Sequence, residues 1–371
     1  MLWLPGPTEV RREILAELAH PQIGHRGDAM AELILRIDPG LRLAFGLAAG
    51  SPSTVAAGTH SATAMMEGSL HGVGPRVLCV VNGAFSRRWH EIAVTIGKEA
   101  IALEVEWGAA ATGEILARAL QESGPVDAVT VVMNETSTGV RTPFAPLAAV
   151  LRDHPDTMLL ADVVSALGGY PVDFDSLGLD FAFAGVQKAF ALPPGITVMC
   201  ASARYLERAR RSPRRAWYVD PVRAIDGHVA RRTPVTPCIP LYRALARQLE
   251  DIGSGRTLPA GHAGATGAAA WRARYDEHER MRAATLRWSA AHDLAPFPAP
   301  ALSSPTVSCL RAEGIDAAAL IAGLKARGHE IGGGYGPLKG RTFRIGHMGD
   351  HTEAELSRLL SFADEVLAGS R

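Results

Sequence analysis

The chain has 371 residues, 47% of them hydrophobic and 20% charged, with a formal net charge of zero. That size supports one large core and a smaller second one, and neutrality removes any global bias toward nucleic acid or an anionic membrane. The four cysteines, Cys79, Cys200, Cys238 and Cys309, show no CxxC spacing, so neither a disulfide framework nor a zinc site is expected.

The opening MLWLPGPTEV has no basic region and no long apolar run, and no stretch reaches the roughly 20 apolar residues of a membrane span. A cytoplasmic protein without a signal peptide is the expectation. Pro5-Gly6-Pro7 keeps residues 1–9 extended, and a short helix follows at 10–20. Gly24-His25-Arg26-Gly27-Asp28 forms a loop before a helix at 29–46. Its backbone and guanidinium donors can converge on an anion, or Asp28 can simply cap the helix. In VAAGTHSATAMMEGSL, residues 55–70, small side chains lead straight into a helix and leave free N–H groups at its start.

Pro75–Val81 reads as a strand, Asn82–Phe85 as a tight loop, and a helix begins near Arg87. An aromatic ring just after a strand can stack on a flat heterocycle or pack under the helix. A strand at 100–105 and a helix at 113–123 follow. The buried strand 128–133 then ends in the polar run Asn134-Glu135-Thr136-Ser137-Thr138-Gly139. Open α/β sheets bind ligands at that carboxyl edge. A helix at 143–153 precedes the strand 158–161, which delivers Asp162. These near-continuous apolar strands, alternating with helices up to 196–201, are those of a buried parallel sheet.

Residues 203–232 are rich in arginine, with RARRSPRR at 208–215 and Arg231-Arg232 close by. In a neutral chain with no nucleic-acid module the run reads as a solvated helix end. A helix at 240–252 leads into the low-complexity stretch 253–267. A second unit begins near 265 with a long helix to 287. It continues with a strand opened by Ser304–Ser308, a helix at 315–327 stopped by Gly328, a flexible glycine loop at 332–336, a strand within 342–350 and a closing helix at 352–368.

One residue stands out in this order. Among 38 lysines and arginines only Lys98, Lys188, Lys325 and Lys339 are lysine, and Lys188 lies between apolar neighbours. A desolvated lysine can give up its proton and form a Schiff base, whereas arginine cannot. The other reading is a lysine at a strand end reaching solvent.

Asp162-x-x-Ser165 followed by Gly185-x-Gln187-Lys188-Ala189 resembles the class V family of pyridoxal-phosphate aminotransferases, in particular the alanine–glyoxylate, serine–pyruvate and phosphoserine enzymes. The resemblance runs in order from Pro5 to Asp350. It implies fold type I of the pyridoxal-phosphate-dependent transferases: α/β, with a mostly parallel seven-stranded sheet containing one antiparallel strand and a smaller C-terminal α/β domain. The corresponding expectation is an arm at 1–15 packing near the small domain or the active site, a cofactor domain at 16–250 and a small domain at 251–371.

The resemblance also implies roles. Lys188 holds pyridoxal 5'-phosphate and moves the proton, and Asp162 pairs with the ring nitrogen. Ser61, Ala62 and Thr63 cradle the phosphate, and Gln187 and Ser165 also bind the cofactor. Phe85 covers the ring, and Thr136 donates to the ring oxygen. Thr236, in Thr233-Pro234-Val235-Thr236-Pro237, reaches the phosphate of the neighbouring subunit. Gly6, His25, Arg26 and Arg344 serve the substrate, with Arg344 binding its carboxylate. Position 186 is Val where many relatives carry Ser. A homodimer with shared sites acting on small amino acids and 2-oxo acids is implied. Alanine or serine donating to glyoxylate or pyruvate leads, with phosphoserine and 2-oxoglutarate as the alternative. Cysteine desulfurases need a mobile cysteine, and Cys309 falls in a predicted strand. An inactive homologue would have no use for Lys188, Asp162 and Arg344 together.

Overall fold

The structure is a computed structural model that describes residues 1–213, 215–259 and 264–369. Arg214 of the arginine run and residues 260–263 of the low-complexity stretch lie outside the described residues. The strands are β1 (Leu2–Trp3), β2 (Thr54–Gly58), β3 (Arg76–Val81), β4 (Glu99–Glu104), β5 (Ala128–Val132), β6 (Asn134–Glu135), β7 (Val140–Arg141), β8 (Met158–Asp162), β9 (Phe181–Gly185), β10 (Thr197–Ala201), β11 (Ser308–Arg311), β12 (Glu330–Gly333) and β13 (Thr342–Ile345).

Seven of them form one sheet in the order β2-β10-β9-β8-β5-β3-β4. All neighbours pair parallel except β10, which is antiparallel to both β2 and β9. The expected architecture is therefore present. Every residue of β5, β8, β9 and β10 is buried, which explains their continuous apolar runs. The edge strand β4 ends in exposed Glu99 and Glu104, charges that discourage pairing with another chain.

The small sheet runs β1-β12-β13-β11, and its core gathers Trp3, Leu310, Ile331, Phe343 and Leu359. The N-terminal arm is thus part of this sheet: Leu2 pairs with Glu330 and Trp3 with Ile331, in parallel. Trp3 also stacks on His351 at 3.8 Å.

Three local expectations change. The helix after β3 begins at Ala84 rather than near Arg87. The buried Glu135 carboxylate accepts from the N–H groups of Phe85 and Ser86 at 3.2 and 3.0 Å, so the helix's free donors are satisfied from another strand. Residues 304–307 are not strand, because Ser304 Oγ accepts from the N–H of Thr306 and Val307 and turns the chain. Gly332 and Gly333, expected to open the glycine loop, belong instead to β12, with Gly332 opposite Arg344. The arginine run does end a helix, Ala203–Arg211, and its Arg208, Arg210 and Arg211 pair with Asp127, Asp226 and Glu207.

Candidate active site

The carboxyl ends of β5, β8 and β9 meet at one edge of the large sheet. Parallel pairing in the register Val132–Asp162 and Asp162–Phe183 brings Asp162 beside the segment that starts at Asn134 and the turn that holds Lys188. A cavity of about 250 Å³ opens there, lined by Gly6, Ser61, Ala62, Thr63, Met66, Phe85, Arg88, Val132, Asn134, Thr136, Asp162, Val164, Gln187 and Lys188.

Lys188 is only 8% exposed, so the reading of a lysine reaching solvent fails. Burial pushes its amine down to about 8, and the positive charge of Arg344 pushes in the same direction. The amine donates to the carbonyl of Pro5. The arm that begins in the small sheet therefore crosses the mouth of the site. Gly6 is needed there for two reasons. Its φ is +96°, and a Cβ at this position would stand 2.5 Å from Lys188 Nζ.

Asp162 is buried, and burial pushes its carboxyl up to about 7, against the N–H of Val164, which donates to it at 2.8 Å. No lysine or arginine pairs directly with it among the described residues. A buried carboxylate in this state suits a protonated ring nitrogen, which would supply the missing positive charge. The helix Thr63–His71 starts at the cavity and no side chain caps it, so its N-terminus can receive a phosphate. With the flat ring of Phe85 on the wall and a readily neutralised amine, these groups fit pyridoxal phosphate.

Arg344, on β13, is nearly buried. It donates from Nε to Gly333 O at 2.9 Å and from Nη1 to Thr136 O at 3.2 Å, and no carboxylate pairs with it among the described residues. Its charge is felt at Lys188. The Tyr335 ring lies beside its guanidinium and next to Phe85.

Other expected residues fall differently. Ser165 meets Thr136, hydroxyl to hydroxyl, at 2.5 Å but does not line the cavity. Val186 is buried in the main core and does not line the cavity. His25, Arg26 and Thr236 lie away from this chain's cavity: Arg26 and Thr236 are exposed, and His25 Nε2 is buried without a hydrogen-bond partner.

Some functional candidates were not apparent in the sequence. Arg88 lines the cavity, with its guanidinium 5.0 Å from the Phe85 ring. Its i,i+3 spacing from Phe85 was the available signal, once the helix is known to include both. Arg274 had no local signal. Buried in the helix Ala268–Ala291, it donates to the carbonyls of Gly168 and Ala189 and to Asp350. Arg11 donates to the same Asp350, so residues distant in sequence fasten the peptide next to Lys188.

Residues 55–236 match the model of the family described as aminotransferase class-V. An uncharacterized aminotransferase of Methanocaldococcus jannaschii is 31% identical, over 99% of this chain and 92% of its own length. The solved structure of an aspartate aminotransferase of subgroup IV from Thermus thermophilus is 30% identical, with a TM-score of 0.87 over 100% of this chain and 99% of that one. A serine–glyoxylate aminotransferase of Methylorubrum extorquens is 29% identical, over 99% of this chain and 90% of its own length.

Proposed function

The chain belongs to the class V aminotransferases and uses pyridoxal phosphate, and from that premise we propose that it transfers the amino group of alanine or serine to glyoxylate or pyruvate. The observation that carries the reading is Arg344. A nearly buried guanidinium with no carboxylate partner among the described residues, beside a lysine of lowered pKa, is suited to an incoming substrate carboxylate.

In this reading Arg344 binds the carboxylate through its planar fork. That contact sets the substrate Cα within reach of Lys188. Pyridoxal phosphate supplies the electron sink for the charge left at Cα. Lys188 Nζ would take the Cα proton and pass it on to the cofactor, as its lowered pKa permits near neutral pH. With the cofactor bound, Asp162 would hold the ring nitrogen protonated, Phe85 would cover the ring, and Thr136 would donate to the ring oxygen. Ser61, Ala62 and Thr63 would hold the phosphate and Gln187 would also contact the cofactor, while Ser165 orients Thr136. Gly6 leaves room for Lys188 and the substrate. Return of the amino group to a second oxo acid runs the same proton movements backwards.

The serine–glyoxylate relative supports small substrates. A kcat/KM panel of alanine, serine, aspartate and phosphoserine against glyoxylate, pyruvate and 2-oxoglutarate tests the choice. Alanine or serine with glyoxylate or pyruvate should lead. A preference for phosphoserine over serine of roughly a hundredfold, about 3 kcal/mol of transition-state binding, would establish the phosphoserine alternative instead.

The exposed positions of Arg26 and Thr236, on a surface that also exposes Trp217, Tyr218 and Val229, suit a role in the site of a second copy. We expect mixed dimers of Lys188→Ala and Thr236→Arg, each inactive alone, to recover part of the activity by restoring one intact site. Verified heterodimers without any recovery would argue against shared sites.

A further inference from the structure

We propose that Tyr335 sets the size limit of the substrate pocket, its ring closing the space between Arg344 and Phe85 so that short side chains are accepted and longer ones excluded. The inference rests on the reading of Arg344 as the carboxylate site.

Position is the first argument. Arg344 Cζ lies 5.6 Å from the centre of the Tyr335 ring, and the Phe85 ring lies 5.7 Å away at an interplanar angle of 27°. One side chain of the small sheet's β12–β13 turn thus spans from the carboxylate-binding cation to the wall of the cavity in the large sheet. Cation–π and aromatic contacts hold it there, although 38% of the residue is exposed.

The second argument is how the ring is presented. A Cβ at Gly334 would fall 2.0 Å from Leu338 O, and Gly336 has φ +55°. The N–H of Leu338 closes the turn on Tyr335 O at 3.1 Å. Glycine is required on both sides of Tyr335, so the turn has little freedom and the ring projects from a defined point.

The third argument is the set of donors left on Arg344. Its Nε–H and one Nη1–H are engaged by Gly333 and Thr136, and Tyr335 takes one side of the guanidinium. A carboxylate is left with the Nη edge, which fixes its orientation. The substituent on the adjacent Cα then meets the contact between Phe85 and Tyr335.

The test uses unreactive carboxylates on the cofactor-loaded enzyme, with affinities read by calorimetry for propionate and 4-methylpentanoate. Wild type should favour propionate. Tyr335→Ala should shift the ratio toward 4-methylpentanoate by at least ~10-fold, the order of effect that a methylene or two has in an apolar pocket. Tyr335→Phe should keep the wild-type ratio, because the ring and not the hydroxyl sets the limit. The kcat/KM ratio of leucine to alanine should move in parallel. An unchanged ratio in folded Tyr335→Ala would overturn the proposal, as would a Tyr335→Phe shift as large as that of Ala. If Arg344→Gln binds propionate as tightly as wild type, the carboxylate reading itself fails, and the size limit with it.

Discussion

Lys188→Ala should lose transamination by roughly 10⁴-fold or more, because on the proposed reading the same amine would be both the covalent anchor and the proton carrier. Lys188→Arg should be as inactive, since a guanidinium neither gives up its proton nor forms the Schiff base. Both variants should still show the native circular dichroism. Borohydride reduction of the loaded wild type should fix the cofactor to the peptide containing residue 188. The other lysines sit elsewhere: Lys98 donates to the carbonyls of Val73 and Gly74, and Lys325 pairs with Glu330. Label on either of these, or on Lys339, would refute the assignment. The pH dependence has a definite sign. With the amine pushed down to about 8, the neutral nucleophile grows as pH rises. The rate at which cofactor-free protein takes up pyridoxal phosphate should therefore climb to about pH 8 and level off above it, where an ordinary lysine would keep climbing past pH 10.

Arg344→Gln should lower kcat/KM for amino acids by about 30- to 5,000-fold, the equivalent of about 2–5 kcal/mol for losing one member of a buried charged pair. Arg344→Lys should recover little of this, because an ammonium keeps the charge but not the fork. The decisive control is an amine that lacks the carboxylate. It gains nothing from Arg344, so its slow deamination should be nearly unchanged in Arg344→Gln. An equal loss for both substrates would mean that Arg344 acts through Gly333 and Thr136, whose carbonyls it also holds, and not through the substrate.

Much of this site was legible locally. A strand that ends in a charged residue places that residue at the sheet edge, so Asp162 and the polar run at Asn134 could be assigned before any fold was known. A rare lysine among arginines and apolar neighbours singled out Lys188, but its chemistry alone left a solvent-reaching lysine open, and the resemblance supplied the role. The alternation of apolar strands and helices was enough to expect a buried parallel sheet, since burial on both faces leaves its own composition, whereas its seven strands were expected only from the family resemblance.

What the sequence could not determine depends on groups far apart in the chain. Glu135 moves the start of the helix at Ala84 because its carboxylate, carried by another strand, answers donors that a local reading leaves free. Gly6 is a glycine because Lys188, 182 positions later, occupies the space of its side chain. The arm becomes a strand of the small sheet only when β12 exists to pair with it, and β12 itself is a strand because β13 lies alongside. Arg274 supports the Lys188 turn, and Tyr335 reaches Phe85, through distances that no periodicity encodes. Sequence pattern records which face of an element is buried and which residue types a chemistry requires. Which partner fills a given space, and which cation is left without a counterion, is decided by packing, because each such contact is a property of two segments and neither carries it alone.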